Sequence, residues 1–270
     1  MKGPVVVVVG GSPSSLAAVE AAAWEADHRG VPLLLAHAVA WPTGSVAVGD
    51  ADGAGWRGVA GGALAEAERH ARRVAPGLRM TSEVLVGEPA RVLAGESRAA
   101  TLTVVGGGGE ERRGRLHRGP LTGRPAGCGH CPMLVVRGGA NGGGPVVLAD
   151  DGSQAVRAAA EFAFAEASAR GAELVVLHTR GHGTIDGEGI PADLREEYAG
   201  VTVRTGRTRS RGRRAFVEAS AGAQLVVVGV SGHGRVAAEL PGSVGRLALR
   251  HTACTVAFVP AGREQPWSTL

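Results

Sequence analysis

The chain repeats itself, and a repeat limits what a chain can fold into more than any single motif does. Val5-Val6-Val7-Val8-Val9-Gly10-Gly11-Ser12 resembles Val146-Val147-Leu148-Ala149-Asp150-Asp151-Gly152-Ser153 at an offset of 141 residues, which also relates Gly30 to Gly171 and His37 to His178. Further on, Thr103-Val104-Val105-Gly106 matches Val226-Val227-Val228-Gly229 at an offset of 123, shared by Ser97 with Ser220, Gly119 with Gly242 and Cys131 with Cys254. Two constant offsets that differ by 18 indicate a duplication with a net insertion in the first copy. The insertion is placed at residues 42–62, which are Gly-rich and lack periodicity, so they read as a surface loop. Residues 138–144 (GGANGGG) read as a Gly linker. The expected domains are 1–140 and 143–262, with a tail at 263–270.

Strands and helices alternate within each copy. Residues 5–9 and 146–149 are short continuous apolar runs, as expected for strands covered on both faces. A helix follows each. In the first copy Ser12 can cap it, Pro13 suits its first turn, and Leu16, Val19 and Ala23 recur at helical spacing. Val156, Ala160, Ala163 and Ala167 do the same in the second copy, and Gly30 and Gly171 suit the stops. Second strands are predicted at 33–38 and 173–179, second helices at 63–75 and 192–199, and third strands at 81–86 and 201–205. Fourth strands fall at 102–105 and 225–228, and last strands at 133–137 and 255–259. Five strands with crossover helices imply a doubly wound parallel α/β sheet in each copy.

Composition narrows the chemistry. Lys2 is the only lysine, so a P-loop, whose lysine must reach the phosphates, is excluded, and a Schiff-base lysine is disfavoured. Aromatic residues make up 3% of the chain, too few for base-stacking platforms. Three cysteines make no disulfide framework. No apolar run nears the roughly 18 residues of a membrane span, and the run at 5–9 is too short for an export signal. A cytoplasmic protein is expected.

The chemistry-bearing pattern lies in the second copy. Its fourth strand runs into Gly229-Val230-Ser231-Gly232, and nine residues later Gly242-Ser243 opens a helix. Glycines in this G-x2-G-x9-G-S pattern let a backbone approach an anion closely. The N–H groups around Gly242, Ser243 and Val244 would sit at a helix N-terminus, where the dipole favours phosphate. In an open α/β sheet ligands sit beyond the strand carboxyl ends, at the switch point between strands 1 and 4. Asp151 ends strand 1 and is placed to accept hydrogen bonds from a ribose.

These residues resemble the universal stress protein family in its tandem form, over about residues 4–260. The resemblance rests on Asp151-Gly152-Ser153, on the glycine pattern, on the Cys-containing last strand and on Gly87-Glu88-Pro89-Ala90. It implies two tandem doubly wound domains, each a five-stranded parallel sheet of order 3-2-1-4-5 with helices on both faces. It also implies ATP, with or without Mg2+, as the ligand. Ala149 and Thr179 would offer backbone contacts to adenine and Asp151 would hold the nucleoside. Gly229, Gly232, Gly242, Ser243 and Val244 would surround the phosphates. The first copy departs from the pattern: Gly10 stands where the second has Asp151, and Pro120 stands for Ser243, removing a hydroxyl and an N–H donor. The second copy is therefore expected to carry the nucleotide site.

Other readings compete. Gly232-His233-Gly234 follows the fourth strand, not the first, which disfavours a dinucleotide site. Cys128-Gly129-His130-Cys131 lacks a second ligand pair, which disfavours a metal or redox site; Cys131 and its counterpart Cys254 are expected to be buried at the start of the last strands, with Cys128 the odd one. Arg204, Arg207, Arg209, Arg211, Arg213 and Arg214 form a cluster that suits a solvated loop, a phosphate contact or a nucleic-acid patch. His37 and His178 read as structural. A Ser243, His233 and Asp151 triad lacks a nucleophile elbow. With no catalytic constellation in view, a nucleotide-gated regulator of a protein partner is expected, with a scaffold module or a slow ATPase as alternatives. The last strands of the two copies are expected to pair within the chain, and a homodimer is a further expectation.

Overall fold

The computed structural model describes residues 3–39, 54–107, 130–137, 143–150, 152–153, 155–178, 191–206, 217–218, 220–230, 245, 248, 252 and 254–261. The chain divides into two compact units, Met1–Gly123 and Arg124–Leu270.

The first unit contains β1 (Val5–Val8), α1 (Pro13–His28), β2 (Leu33–Val39), α2 (Ala54–Val74), β3 (Met80–Val86), α3 (Pro89–Glu96) and β4 (Leu102–Gly106). β1 pairs in parallel with both β2 and β4, and β2 pairs with β3, giving the order β3-β2-β1-β4. Crossovers that leave β1 towards β2 and β3 and then return to β4 must switch faces to stay right-handed, so α1 and α2 lie on one face and α3 on the other. The second unit contains β5 (Met133–Val136), β6 (Val146–Asp150), α4 (Val156–Ala169), β7 (Leu174–His178), α5 (Ala192–Glu197), β8 (Val203–Gly206), β9 (Leu225–Val230) and β10 (Thr255–Pro260). Its parallel pairings run β8-β7-β6-β9-β10. β5 belongs to the first copy by the repeat, yet it packs in the second unit, antiparallel to β10, with Val135 opposite Val256.

Val5, Val6 and Val7 of β1 and Val146 and Leu148 of β6 are wholly buried, as the continuous apolar runs require. The helices that follow end alike. Gly30 N–H reaches Asp27 O and Val31 N–H reaches Ala26 O, and Gly171 and Ala172 make the matching bonds to Ser168 and Ala167. Both pairs form the Schellman closure. At the N-terminus of α1, Ser12 Oγ accepts from Ser15 N–H at 3.3 Å with Pro13 in the first turn. α4 starts two residues later in the repeat, and its N-cap Ala155 has no side-chain cap bond.

One expectation fails. Residues 54–62, assigned above to a surface loop, are the opening of α2. Ala60, Leu64, Ala67 and Ala71 are buried at helical spacing, and α2 packs on α1. Each glycine in that stretch costs a helix about 1 kcal/mol against alanine. The buried stripe outweighs that cost, and the glycines had concealed it. Residues 40–53 lie outside the described residues.

The repeat also carries two buried ion pairs that the sequence reading missed. Arg29 Nη2 lies 3.0 Å from Glu25 Oε2, and Arg170 Nη2 lies 2.9 Å from Glu166 Oε2. Both glutamates are 1% exposed. Removing one member leaves a buried charge stripped of its counter-ion, which costs far more than replacing both. Arg29→Ala is therefore expected to lower the unfolding free energy by about 3 kcal/mol. The double change Glu25→Leu with Arg29→Met should lose clearly less. Urea denaturation measures both, and equal losses would contradict the assignment.

Candidate functional site

The site is built where the crossovers reverse direction, at the carboxyl ends of β6 and β9. Ala149 is in register with Leu177 of β7 on one side and Val228 of β9 on the other, and Gly229 follows directly. Two residues expected to meet a nucleotide, Ala149 and Gly229, are therefore brought to adjacent strand ends. Asp151, Thr179, Gly232, Gly242, Ser243 and Val244 lie outside the described residues, as do Gly109, Gly119 and Pro120 of the first copy.

Gly229 has a structural reason to be glycine. A Cβ there would stand 2.9 Å from both Cβ and O of Ala155, at the start of α4. At Gly106, its counterpart in the first copy, a Cβ would stand 2.5 Å from Ser14 O in α1. In each copy the fourth strand thus ends against the opening turn of the first helix. That contact sets a helix N-terminus beside the strand ends, where an anion is favoured. The turn between strand and helix also needs glycine, since Gly11 and Gly152 have φ of 68° and 70°.

Behind this turn lies an arrangement that the sequence reading did not find. Asp150 is 8% exposed and in register with His178. Its Oδ1 accepts Gly152 N–H at 2.8 Å, and its Oδ2 lies 2.8 Å from His178 Nδ1. An ionised carboxylate only accepts, so the Nδ1 of His178 is the donor in this pair. Asp150 thereby ties the turn that carries Asp151 to the end of the second strand. The legible signal was the doubled Asp150-Asp151 in register with a strand-end histidine. The reading of His178 as structural agrees with this geometry.

The first copy has the same frame with different groups. Val9 stands at the position of Asp150 and is 1% exposed. The Nδ1 of His37 is buried, with no hydrogen-bond partner among the described residues. Gly10 N–H donates to Ser15 Oγ at 2.7 Å. A cavity of about 280 Å³ opens beyond β1 and β4, lined by residues that include Val8, Val9, Gly10, His37, Ala38 and Gly106.

The alternative sites gain little. Cys131 and Cys254 are buried, and burial pushes the Cys254 thiol up to about 11. Such a thiol is protonated at neutral pH and is a poor nucleophile. Cys128 lies outside the described residues, as do Arg207, Arg209, Arg211, Arg213, Arg214, His233 and Gly234. Arg204 is exposed and ion-paired with Glu173. Among the described residues no group of three His, Cys, Asp or Glu side chains converges to hold a metal, and no helix is long and apolar enough to cross a membrane.

Comparison with known proteins points one way. The model of the universal stress protein family matches residues 1–137. A universal stress protein of Mycobacterium tuberculosis is 31% identical over 274 aligned residues, covering 89% of this chain and 91% of that protein. One from Mycolicibacterium smegmatis is 30% identical over 281, with the same coverage. The crystal structure of a universal stress protein from Archaeoglobus fulgidus superposes with a TM-score of 0.70 at 18% identity, covering 96% of this chain and 98% of that one.

Two outcomes follow from the geometry. Asp150→Val, which installs the first copy's residue, should leave the His178 ring nitrogen unsatisfied and cost about 1–3 kcal/mol in urea denaturation. An unchanged midpoint would mean that the pair carries no structural load. In the native protein at pH 8, Cys254 should react with iodoacetamide about a hundred-fold more slowly than in the unfolded chain, the ratio implied by its thiolate fraction. Peptide mass mapping reads that rate, and equal rates would contradict the burial.

Proposed function

The chain belongs to the universal stress protein family, and on that premise we propose that its second copy binds ATP and acts as a nucleotide-gated regulator. The observation that carries this reading is the sequence Asp151-Gly152-Ser153 together with Gly229-x2-Gly232-x9-Gly242-Ser243, attached to strand ends that meet at the switch point. Ala149 and Thr179 would face the adenine and Asp151 the ribose. The N–H groups around Gly242, Ser243 and Val244 would take the phosphates. The Asp150–His178 pair supports the reading because Asp150 also holds Gly152, next to Asp151 in the sequence.

A lysine-free site of this kind binds through backbone donors and one carboxylate. It has no P-loop lysine to stabilise charge on a transferring phosphoryl group, so the proposed role is binding, with slow hydrolysis at most. Occupancy would bias the backbone between Gly229 and Gly242 and so alter the surface offered to a protein partner. A cytoplasmic role in the response to stress belongs to the same proposal.

The test is calorimetric titration of the full chain with ATP. Asp151→Ala and Gly242→Val should each weaken binding about ten-fold to a hundred-fold, the range for losing a charged or backbone-mediated hydrogen bond. Gly119→Val, at the matching position of the first copy, should leave the affinity unchanged. Binding that ignores Asp151→Ala and collapses with Gly119→Val would overturn the assignment. Release of ADP at rates of seconds or faster would favour an ATPase instead.

A further inference from the structure

We infer that the outer edge of β3 is a dimer interface, on which two copies of the chain join their first units in one antiparallel ladder about a twofold at Thr81. The expected homodimer had no surface assigned to it, and this edge supplies one. The inference does not rest on nucleotide binding.

The first observation is an open strand edge. β3 ends the strand order of the first unit and pairs only with β2 among the described residues. Leu33 N–H donates to Arg79 O, and Gly87 N–H donates to Val39 O. Odd-numbered residues of β3 thus turn their backbone groups towards β2, and Met80, Ser82, Val84 and Val86 turn theirs outwards. None of the seven residues of β3 is buried. A strand edge of this length is a template for another strand. The usual protections are weak here, since β3 has no proline or lysine and Glu83 is its only charge.

The second observation is that the edge is complementary to itself. Arg79 and Glu83 are exposed, two residues either side of Thr81, and neither makes an ion pair among the described residues. A twofold through Thr81 sets Arg79 of each copy opposite Glu83 of the other. Met80 then faces Ser82, and both have outward backbone groups, so they form the hydrogen-bonded pairs. Thr81 with its own copy, and Arg79 with Glu83, take the non-hydrogen-bonded positions, where side chains come closest. A twofold at Glu83 would instead oppose two like charges. The contact at Thr81 is isologous and closes at two chains.

The third observation is apolar. Val74, Val84 and Val86 are three of the four large apolar side chains exposed among the described residues. Val84 and Val86 lie at the carboxyl end of β3, and Val74 ends α2, just before the amino end of β3. Antiparallel pairing carries the carboxyl end of one β3 to the amino end of the other, and so brings these valines together. The same reversal sets the exposed Arg72 and Arg73 of one copy towards the exposed Glu88 of the other.

The matching strand of the second copy is different. By register, Arg204 of β8 stands where β3 has Thr81, opposite Val175 and Leu34, which are related by the offset of 141. Arg204 is exposed and ion-paired with Glu173. A twofold there would set two guanidinium groups face to face, so a charge blunts that edge and none blunts the centre of the other.

The test is sedimentation velocity of the full-length chain over a range of concentrations. A reversible dimer is expected. Arg79→Glu and Glu83→Arg should each weaken it about ten-fold, because each turns two attractive pairs into repulsive ones. The double variant carries both pairs reversed and should recover the dimer. Val84→Lys, which places a charge on the edge, should weaken it at least about ten-fold. Thr81→Cys should give disulfide-linked dimers on mild oxidation that the parent chain does not form. Facing residues at such a pair stand about 4.5 Å apart, within reach of a disulfide. If a single charge variant fails to fold, the double variant and the cross-link still decide the matter. A chain that stays monomeric, open-ended assembly in place of a dimer, a dimer indifferent to these variants, or a double variant that fails to recover it would each overturn the inference.

Discussion

The carboxyl end of each parallel sheet depends on how closely the fourth strand lies against the opening turn of the first helix. Gly106 and Gly229 make that approach, with room for no side chain between strand and helix. From this contact the rest of the site geometry follows. The helix N-terminus is held beside the strand ends, the turn between strand 1 and helix 1 is confined, and Gly11 and Gly152 adopt the positive φ that the turn needs. The first glycine of the G-x2-G pattern is thus a packing residue before it is a binding residue. A larger residue there would move the helix and every group the turn presents.

Duplication has let one frame support two different rims. The frame is repeated closely: buried Glu25–Arg29 and Glu166–Arg170 pairs, matching helix closures at Gly30 and Gly171, and the Ser97 and Ser220 hydroxyls each donating to a carbonyl three residues back. The rims differ where the strands end. Asp150 clamps the turn and the histidine in the second copy, while in the first Val9 offers His37 no carboxylate and its Nδ1 has no partner among the described residues. The chemistry therefore differs by copy even though the architecture does not.

Much of this was legible in the sequence because it is periodic. Apolar runs marked β1 and β6, helical spacing marked α1 and α4, and the offsets of 141 and 123 paired the copies residue by residue. What escaped was what periodicity cannot express. Residues 54–62 looked like a loop because glycine lowers helix propensity, and only the burial of Ala60 shows why they are helical. The Asp150–His178 pair depends on parallel register between β6 and β7, which local sequence does not encode. The buried glutamates sat in helices that read as ordinary charged positions. The pairing of the last strands of the two copies, β5 with β10, was by contrast expected and is present. Ala149 and Gly229 were legible as neighbours because a doubly wound sheet brings its first and fourth strands together.

The central claim is that one copy of the two binds nucleotide. Native mass spectrometry of the full-length protein with excess ATP tests it most directly by counting ligands per chain. The expected result is one ATP per chain, at clearly reduced occupancy on Asp151→Ala. Two per chain, or one that survives Asp151→Ala and is lost on Gly119→Val, would contradict it.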